Sequence, residues 1–223
     1  MAKKVERVNV RQGYDLWAET YDTTPNPIVA MDARHTLKLL APRADERILD
    51  AGCGTGRNLR GLINAGSQAF GLDFSLGMLK VARRNHPQAP LVQADLQKPH
   101  PLKANCFDAV LCALIGEHLD NLPAVFREAH KALKADGRYL FSVYHPELAA
   151  AGKEANFERE EVEYRLGAVR HTVADYMNLL TDAGFKSLRK FEFFGDEQLA
   201  EKVPAAKKYL NFPVLLVLEA RKN

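Results

Sequence analysis

Ile48-Leu49-Asp50-Ala51-Gly52-Cys53-Gly54-Thr55-Gly56-Arg57 is an apolar run that ends in glycines at alternate positions. It reads as a buried strand turning sharply into a helix. Glycine adopts positive φ freely and lets backbone N–H groups approach a ligand that side chains would hold off. The turn therefore predicts a nucleotide-type pocket at a strand end. Its spacing is G-x-G-x-G, whereas a dinucleotide fingerprint would need a further glycine at Arg57. A phosphate loop of the G-x-x-x-x-G-K-[ST] kind is excluded, because neither Gly-Lys-Ser nor Gly-Lys-Thr occurs in the chain.

Downstream, Asn58 to Ala65 reads as the helix leaving the turn, ended by Gly66. Ala69 to Phe74 is a second strand, which brings Asp73 to a strand end about 20 residues past the glycines, where doubly wound nucleotide folds accept ribose hydroxyls. Alternatively Asp73 only begins a turn, since Ser75 is a good N-cap for a helix from Leu76 to Arg84. Leu91 to Leu96 is a third short strand ending in Asp95, and Phe107 to Ala113 has the continuous apolar character of a central parallel strand. An amphipathic helix from Asn121 to Ala135 precedes a fifth strand, Tyr139 to Tyr144. A capped helix then runs from Thr172 to Ala183, and the last strands are Ser187 to Phe194 and Pro213 to Arg221, with a short helical or loop excursion between them. Strands alternating with helices predict an α/β fold: a doubly wound parallel sheet with helices on both faces.

The glycine turn, with Asp50 two positions ahead of its first glycine, resembles motif I of the class I S-adenosylmethionine-dependent methyltransferases, small-molecule branch. The resemblance covers the cofactor half well, roughly Asp45 to Gly137, and the remainder loosely. It implies a seven-stranded, mostly parallel Rossmann-like sheet whose last strand is antiparallel. It also implies S-adenosyl-L-methionine as cofactor, S-adenosyl-L-homocysteine as product, and transfer of a methyl group by in-line displacement. Asp50, Gly52, Gly54 and Gly56 would surround the methionine end, Asp73 would hold the ribose, and Asp95 with Leu96 would meet the adenine. Tyr21, Phe74, Met78 and Leu114 would complete the cofactor site.

Around that site the sequence offers a cap and a lid. Tyr14, Trp17, Ala18 and Tyr21 fall on one face of a helix spanning Gln12 to Tyr21, a second helix runs from Ile28 to Leu40, and residues 12–41 read as N-terminal cap helices. Residues 147–171 are the least regular stretch and read as a lid-like insertion, with a solvated excursion or a dimer contact as alternatives. The candidates for proton transfer are His118 beside Glu117, His145 before Pro146, His171 and Tyr176.

The chain has 223 residues, is 47% hydrophobic and 26% charged, and carries a net charge of +3, which suits one domain and demands no polyanionic partner. No apolar run approaches the roughly 20 residues that span a bilayer, the start lacks an apolar signal core, and three cysteines form no CxxC pair. These features predict a cytoplasmic protein, a monomer or homodimer, without membrane insertion. No acid cluster predicts a metal, and no basic block with interleaved aromatics predicts a nucleic acid. The reading is thus a methyltransferase acting on an oxygen or nitrogen of a small molecule. A protein or RNA acceptor, a non-catalytic S-adenosylmethionine-binding module and a nicotinamide oxidoreductase are the alternatives.

Overall fold

The computed structural model describes residues 4–223. In chain order the elements are β1 (Lys4–Arg7), α1 (Val10–Trp17), α2 (Pro27–Leu40), β2 (Arg47–Ala51), α3 (Arg57–Asn64), β3 (Gln68–Asp73), α4 (Leu76–Asn85), β4 (Leu91–Gln93) and β5 (Phe107–Ala113). There follow α5 (Leu122–Ala132), β6 (Leu133–Tyr144), α6 (Pro146–Ala150), β7 (Asn156–Arg159), β8 (Val162–Arg165), α7 (Val173–Asp182), β9 (Lys186–Phe194), α8 (Glu197–Lys202) and β10 (Pro213–Arg221).

Seven strands form one sheet in the order β4-β3-β2-β5-β6-β10-β9. The first five in that order are mutually parallel, and β10 runs antiparallel to both β6 and β9. This is the doubly wound sheet the sequence leads one to expect, its last strand reversed. From β2 the chain builds outward through β3 to β4, then crosses back to place β5 on the other side of β2. The order reverses between β2 and β5, so a crevice opens beyond their carboxyl ends, where such folds bind ligands.

The apolar pattern explains which strands lie inside. β5 and β10 are buried on both faces, as strands covered by helices on both sides must be. On one side Ile28, Met31 and Leu40 of α2 pack with Ile48, Leu111, Leu215 and Val217. On the other, Val125 and Phe126 of α5 and Leu180 of α7 pack with Leu49, Val110, Phe141 and Leu216. Residues 12–41 accordingly divide. α1 and a 3-10 turn at Tyr21–Thr23 lie at the crevice, whereas the apolar stripe of α2 packs on the sheet.

Residues 147–171 are more regular than their sequence suggests. β7 and β8 make a hairpin whose turn residues, Glu160 and Glu161, both have positive φ (51° and 63°). β8 also pairs in parallel with β1, so the two parts of the chain form a separate three-stranded sheet, β1-β8-β7. Trp17 of α1 stacks on Phe157 at 4.9 Å, and Phe157 stacks on Tyr164 at 5.1 Å. These rings bind the small sheet to α1.

Phe126 has no solvent exposure and meets Tyr139 and Phe141 edge-on, with ring centroids 6.0 and 5.4 Å away. Phe126→Ala is expected to lower unfolding free energy by about 3–5 kcal/mol through cavity formation. Urea titration followed by far-ultraviolet circular dichroism measures this.

Candidate active site

The glycine turn is fastened to the sheet by backbone bonds and one carboxylate. Gly52, Gly54 and Gly56 have φ of 83°, 53° and 86°, values that favour glycine. The N–H groups of Gly52 and Cys53 donate to the Leu72 carbonyl at 2.7 and 3.0 Å. Asp73, at the end of β3, accepts from Gly54 N at 2.9 Å through one oxygen and from Ser75 N at 2.8 Å through the other. A Cβ on Gly54 would meet nothing within 4 Å, so this backbone borders open space.

That space is a cleft of about 830 Å³, mouth included, bordered by Gly52, Gly54, Asp73, Asp95, Leu96 and Leu114 among others. Tyr21, Phe74, Met78 and His118 also line it. Of the residues singled out around the cofactor, only Asp50 and Gly56 stay outside the lining. Gly56 is the left-handed N-cap of α3.

Asp50 lies behind the turn with no solvent exposure; the Asn58 side chain is the polar group nearest to pairing with it, and neither carboxylate oxygen makes a hydrogen bond of good geometry among the described residues. Burial pushes its pKa up to about 7 against the pull of the Arg57 guanidinium. Arg57, not anticipated from sequence, lines the cleft and spends one amino group on Asp32 at 2.6 Å. Its Nη1 is buried without a partner. Asp32, fully buried in α2, is held in turn by the Thr36 hydroxyl and by Ser142 Oγ at 2.6 Å from β6. Arg57 on the cleft wall therefore keeps one guanidinium nitrogen unpartnered, and the buried Asp50 carboxyl lies behind the turn. Asp73 is also buried, which pushes it up to about 6 despite the backbone donors.

Residues of α1 and the turn after it close the cleft from above. Asp15 accepts from Ser75 Oγ at 2.6 Å and Gly77 N at 2.8 Å, Asp22 accepts from Thr55 Oγ1 at 2.8 Å, and Tyr14 Oη meets His118 Nε2 at 2.9 Å. Opposite, the chain turns out of β5 at Leu114, whose φ of 56° is unusual for a branched side chain. Leu114 borders both this cleft and a second chamber.

The proton-transfer candidates separate by place. His118 lines the cleft, and burial lowers its pKa to about 4, so its imidazole is neutral at physiological pH. The other three border neither chamber. His145, expected at the rim of the crevice, is instead turned to the edge of the sheet, its Nε2 3.2 Å from Glu192 and its Nδ1 accepting from Glu147 N at 3.3 Å as the cap of α6. His171 bonds the Leu119 carbonyl at 2.7 Å, and Tyr176 is buried against Phe141. Glu117, treated in sequence only as the neighbour of His118, is one of two carboxyls that border the second chamber, with Glu154. Its signal was the pairing of two titratable groups just beyond a central strand.

Residues 49–141 match the family described as a methyltransferase domain. Demethylmenaquinone methyltransferase of Streptomyces avermitilis is 32% identical over 142 residues, 61% of this chain and 61% of its own length. Malonyl-[acyl-carrier protein] O-methyltransferase of Gallionella capsiferriformans is 30% identical over 197 residues, 81% of this chain and 66% of its own. The match thus spans about three fifths to two thirds of these curated relatives. An S-adenosylmethionine-dependent methyltransferase from Mesorhizobium loti superposes with a TM-score of 0.70 at 26% identity, covering 83% of this chain and 95% of that one. Fold and glycine turn are those of a Rossmann-like α/β protein. Residues 49–141 match that methyltransferase domain, on a fold shared with the S-adenosylmethionine-dependent methyltransferase of Mesorhizobium loti.

Asp15 couples α1 to the start of α4. Asp15→Ala removes two hydrogen bonds that, at this exposed side chain, are together worth about 1–2 kcal/mol, and is expected to open α1 about tenfold more often. Limited trypsin digestion with mass spectrometry, read at Arg11, should show correspondingly faster cleavage.

Proposed function

We propose that this protein transfers the methyl group of S-adenosyl-L-methionine to a nitrogen or oxygen atom of a small molecule. The observation that carries the cofactor assignment is the glycine turn bordering open space, with Arg57 on the cleft wall and the buried Asp50 carboxyl behind the turn. An amino-acid moiety is a zwitterion; Arg57 would meet its carboxylate, and Asp50 would favour its ammonium from behind the backbone. Asp73 and Asp95 lie at successive strand ends along the same cleft, in the order needed for ribose and then adenine, with Leu96 as the apolar contact for the ring. The open space before Gly54 fits a ligand drawn close to backbone. S-adenosylhomocysteine is the product this reading implies.

Bound there, the cofactor supplies a methyl group on a positively charged sulfur, which departs as a neutral thioether. The chain's own residues have two tasks. Tyr14, Tyr21 and Leu114, which border both chambers, orient an acceptor towards the cofactor cleft and keep water out. Orientation of this kind contributes on the order of 7–11 kcal/mol. His118, neutral and bonded to Tyr14, holds that wall in place. Relatives named for demethylmenaquinone and for malonyl-[acyl-carrier protein] support methyl transfer outside nucleic acids, and they differ in acceptor.

Isothermal titration calorimetry tests the cofactor assignment. S-adenosylhomocysteine should bind and NADH should not; binding of NADH alone overturns it. Asp73→Ala should weaken S-adenosylhomocysteine at least about tenfold, the cost of losing a buried charge-assisted hydrogen bond. The pH dependence has a definite sign. Asp50 and Asp73 have raised pKa values, about 7 and 6. Between about pH 4 and 7 the free native state holds protons that the unfolded chain has lost, so their contribution to stability falls as pH rises. An ammonium and hydroxyl donors favour the ionised carboxylates, so affinity should move the opposite way. The dissociation constant at pH 5 is expected to be at least about tenfold above that at pH 8, with proton release on binding.

A further inference from the structure

Beside the cofactor cleft lies a second chamber of about 730 Å³, mouth included, walled by Tyr14, Trp17, Tyr21, Tyr144 and Glu117. It meets the cleft at Tyr14, Tyr21 and Leu114, which border both. Glu117 sits on the 3-10 turn Gly116–His118 just beyond β5, only 7% exposed. Its Oε2 has no hydrogen-bond partner among the described residues, and its Oε1 is 3.8 Å from a His118 nitrogen already committed to Tyr14.

The backbone that carries this carboxyl is closely packed. A Cβ on Gly116 would come within 2.8 Å of both Phe141 and Val143, and the Glu117 carbonyl is fixed by Val169 N at 2.8 Å. Two other charged residues, Glu154 and Lys153, border the chamber. Glu154 faces Arg7 at 3.3 Å and Arg165 at 3.6 Å, and Lys153 presents its carbonyl to Tyr144 Oη at 3.3 Å. A buried carboxyl lacking a cation, inside a ring of aromatic faces, has the chemistry of an amine site, since both features attract a basic nitrogen.

We propose that this chamber is the methyl-acceptor pocket, that it takes a primary or secondary amine on an apolar or aromatic body, and that Glu117 receives the proton of the reacting nitrogen. The proposal rests on the methyltransferase reading above and narrows its acceptor from oxygen or nitrogen to nitrogen. The incoming ammonium ion displaces to solvent the proton that Glu117 holds near neutral pH, pairs with the carboxylate and then transfers one proton of its own to it. The freed lone pair forms the N–CH3 bond as the S–CH3 bond breaks, with that bonding pair staying on sulfur. The methylated ammonium leaves, and Glu117 returns its proton to solvent. Burial raises the Glu117 pKa to about 8, closer to that of an aliphatic ammonium than an ordinary carboxylate's, which favours such a transfer.

The test is calorimetric and needs no turnover. Protein saturated with S-adenosylhomocysteine is titrated with 2-phenylethylamine and tryptamine, and with 2-phenylethanol and phenylacetate as matched alcohol and acid. The amines are expected to bind in preference to both. Glu117→Gln, close to isosteric, should weaken them at least about tenfold while leaving S-adenosylhomocysteine affinity within about twofold, which shows the variant folded. Alcohol or acid binding as tightly as the amines overturns the proposal. So does equal amine affinity in Glu117→Gln, or no binding of either amine at millimolar concentration. The wild-type comparison decides the matter even if the variant does not fold. Failure of S-adenosylhomocysteine itself to bind strikes the methyltransferase reading instead.

Discussion

The carboxylate of Asp73 is shared between two turns. By accepting from Gly54 N and Ser75 N it ties the glycine loop after β2 to the start of α4 after β3, across the carboxyl ends of adjacent strands. Each turn alone would have unpaired N–H groups beside open space, which is costly in a buried setting. Joined, they fix one wall of the cleft. The arrangement continues outward, because Ser75 Oγ reaches Asp15 and so places α1 over the opening. The order of the sheet determines where this happens. Reversal between β2 and β5 leaves a crevice at the strand ends that no helix fills.

A second set of buried polar groups braces the opposite wall. Asp32 accepts from Thr36, Ser142 and Arg57, so a single charge connects α2, β6 and α3 through the core. Paired in this way the carboxylate is tolerated in an interior that would otherwise expel it. Arg57 in return is held with one nitrogen unspent.

Much of this was legible in the residues. Glycines in tight turns, acids at strand ends and continuous apolar runs are local signals, and they gave the sheet, the glycine turn and the places of Asp73, Asp95 and Leu96 along the cleft. What escaped depends on contacts between distant parts of the chain. Arg57 is recognised only by its pairing with Asp32, 25 residues earlier. His145 and His171 have the chemistry of proton carriers, but their ring nitrogens are engaged by Glu192 and by the Leu119 carbonyl. The small sheet was hidden because its strands are mostly polar and its hairpin turns at Glu160-Glu161, without the Asn or Gly that usually marks positive φ. Its parallel pairing with β1 joins segments more than 150 residues apart.

That small sheet shares no strand with the large one. Its Phe157 and Tyr164 rest on Trp17, and the chain around it supplies Glu154, Ala155 and Asn156 to the second chamber. Sequence drift in β7, β8 or their turn can therefore reshape that chamber without disturbing the register of β2, β3 and β5 beneath the glycine turn. The two chambers are thus held by different means, one by the backbone geometry of the large sheet and the other by aromatic stacking and by pairing with β1.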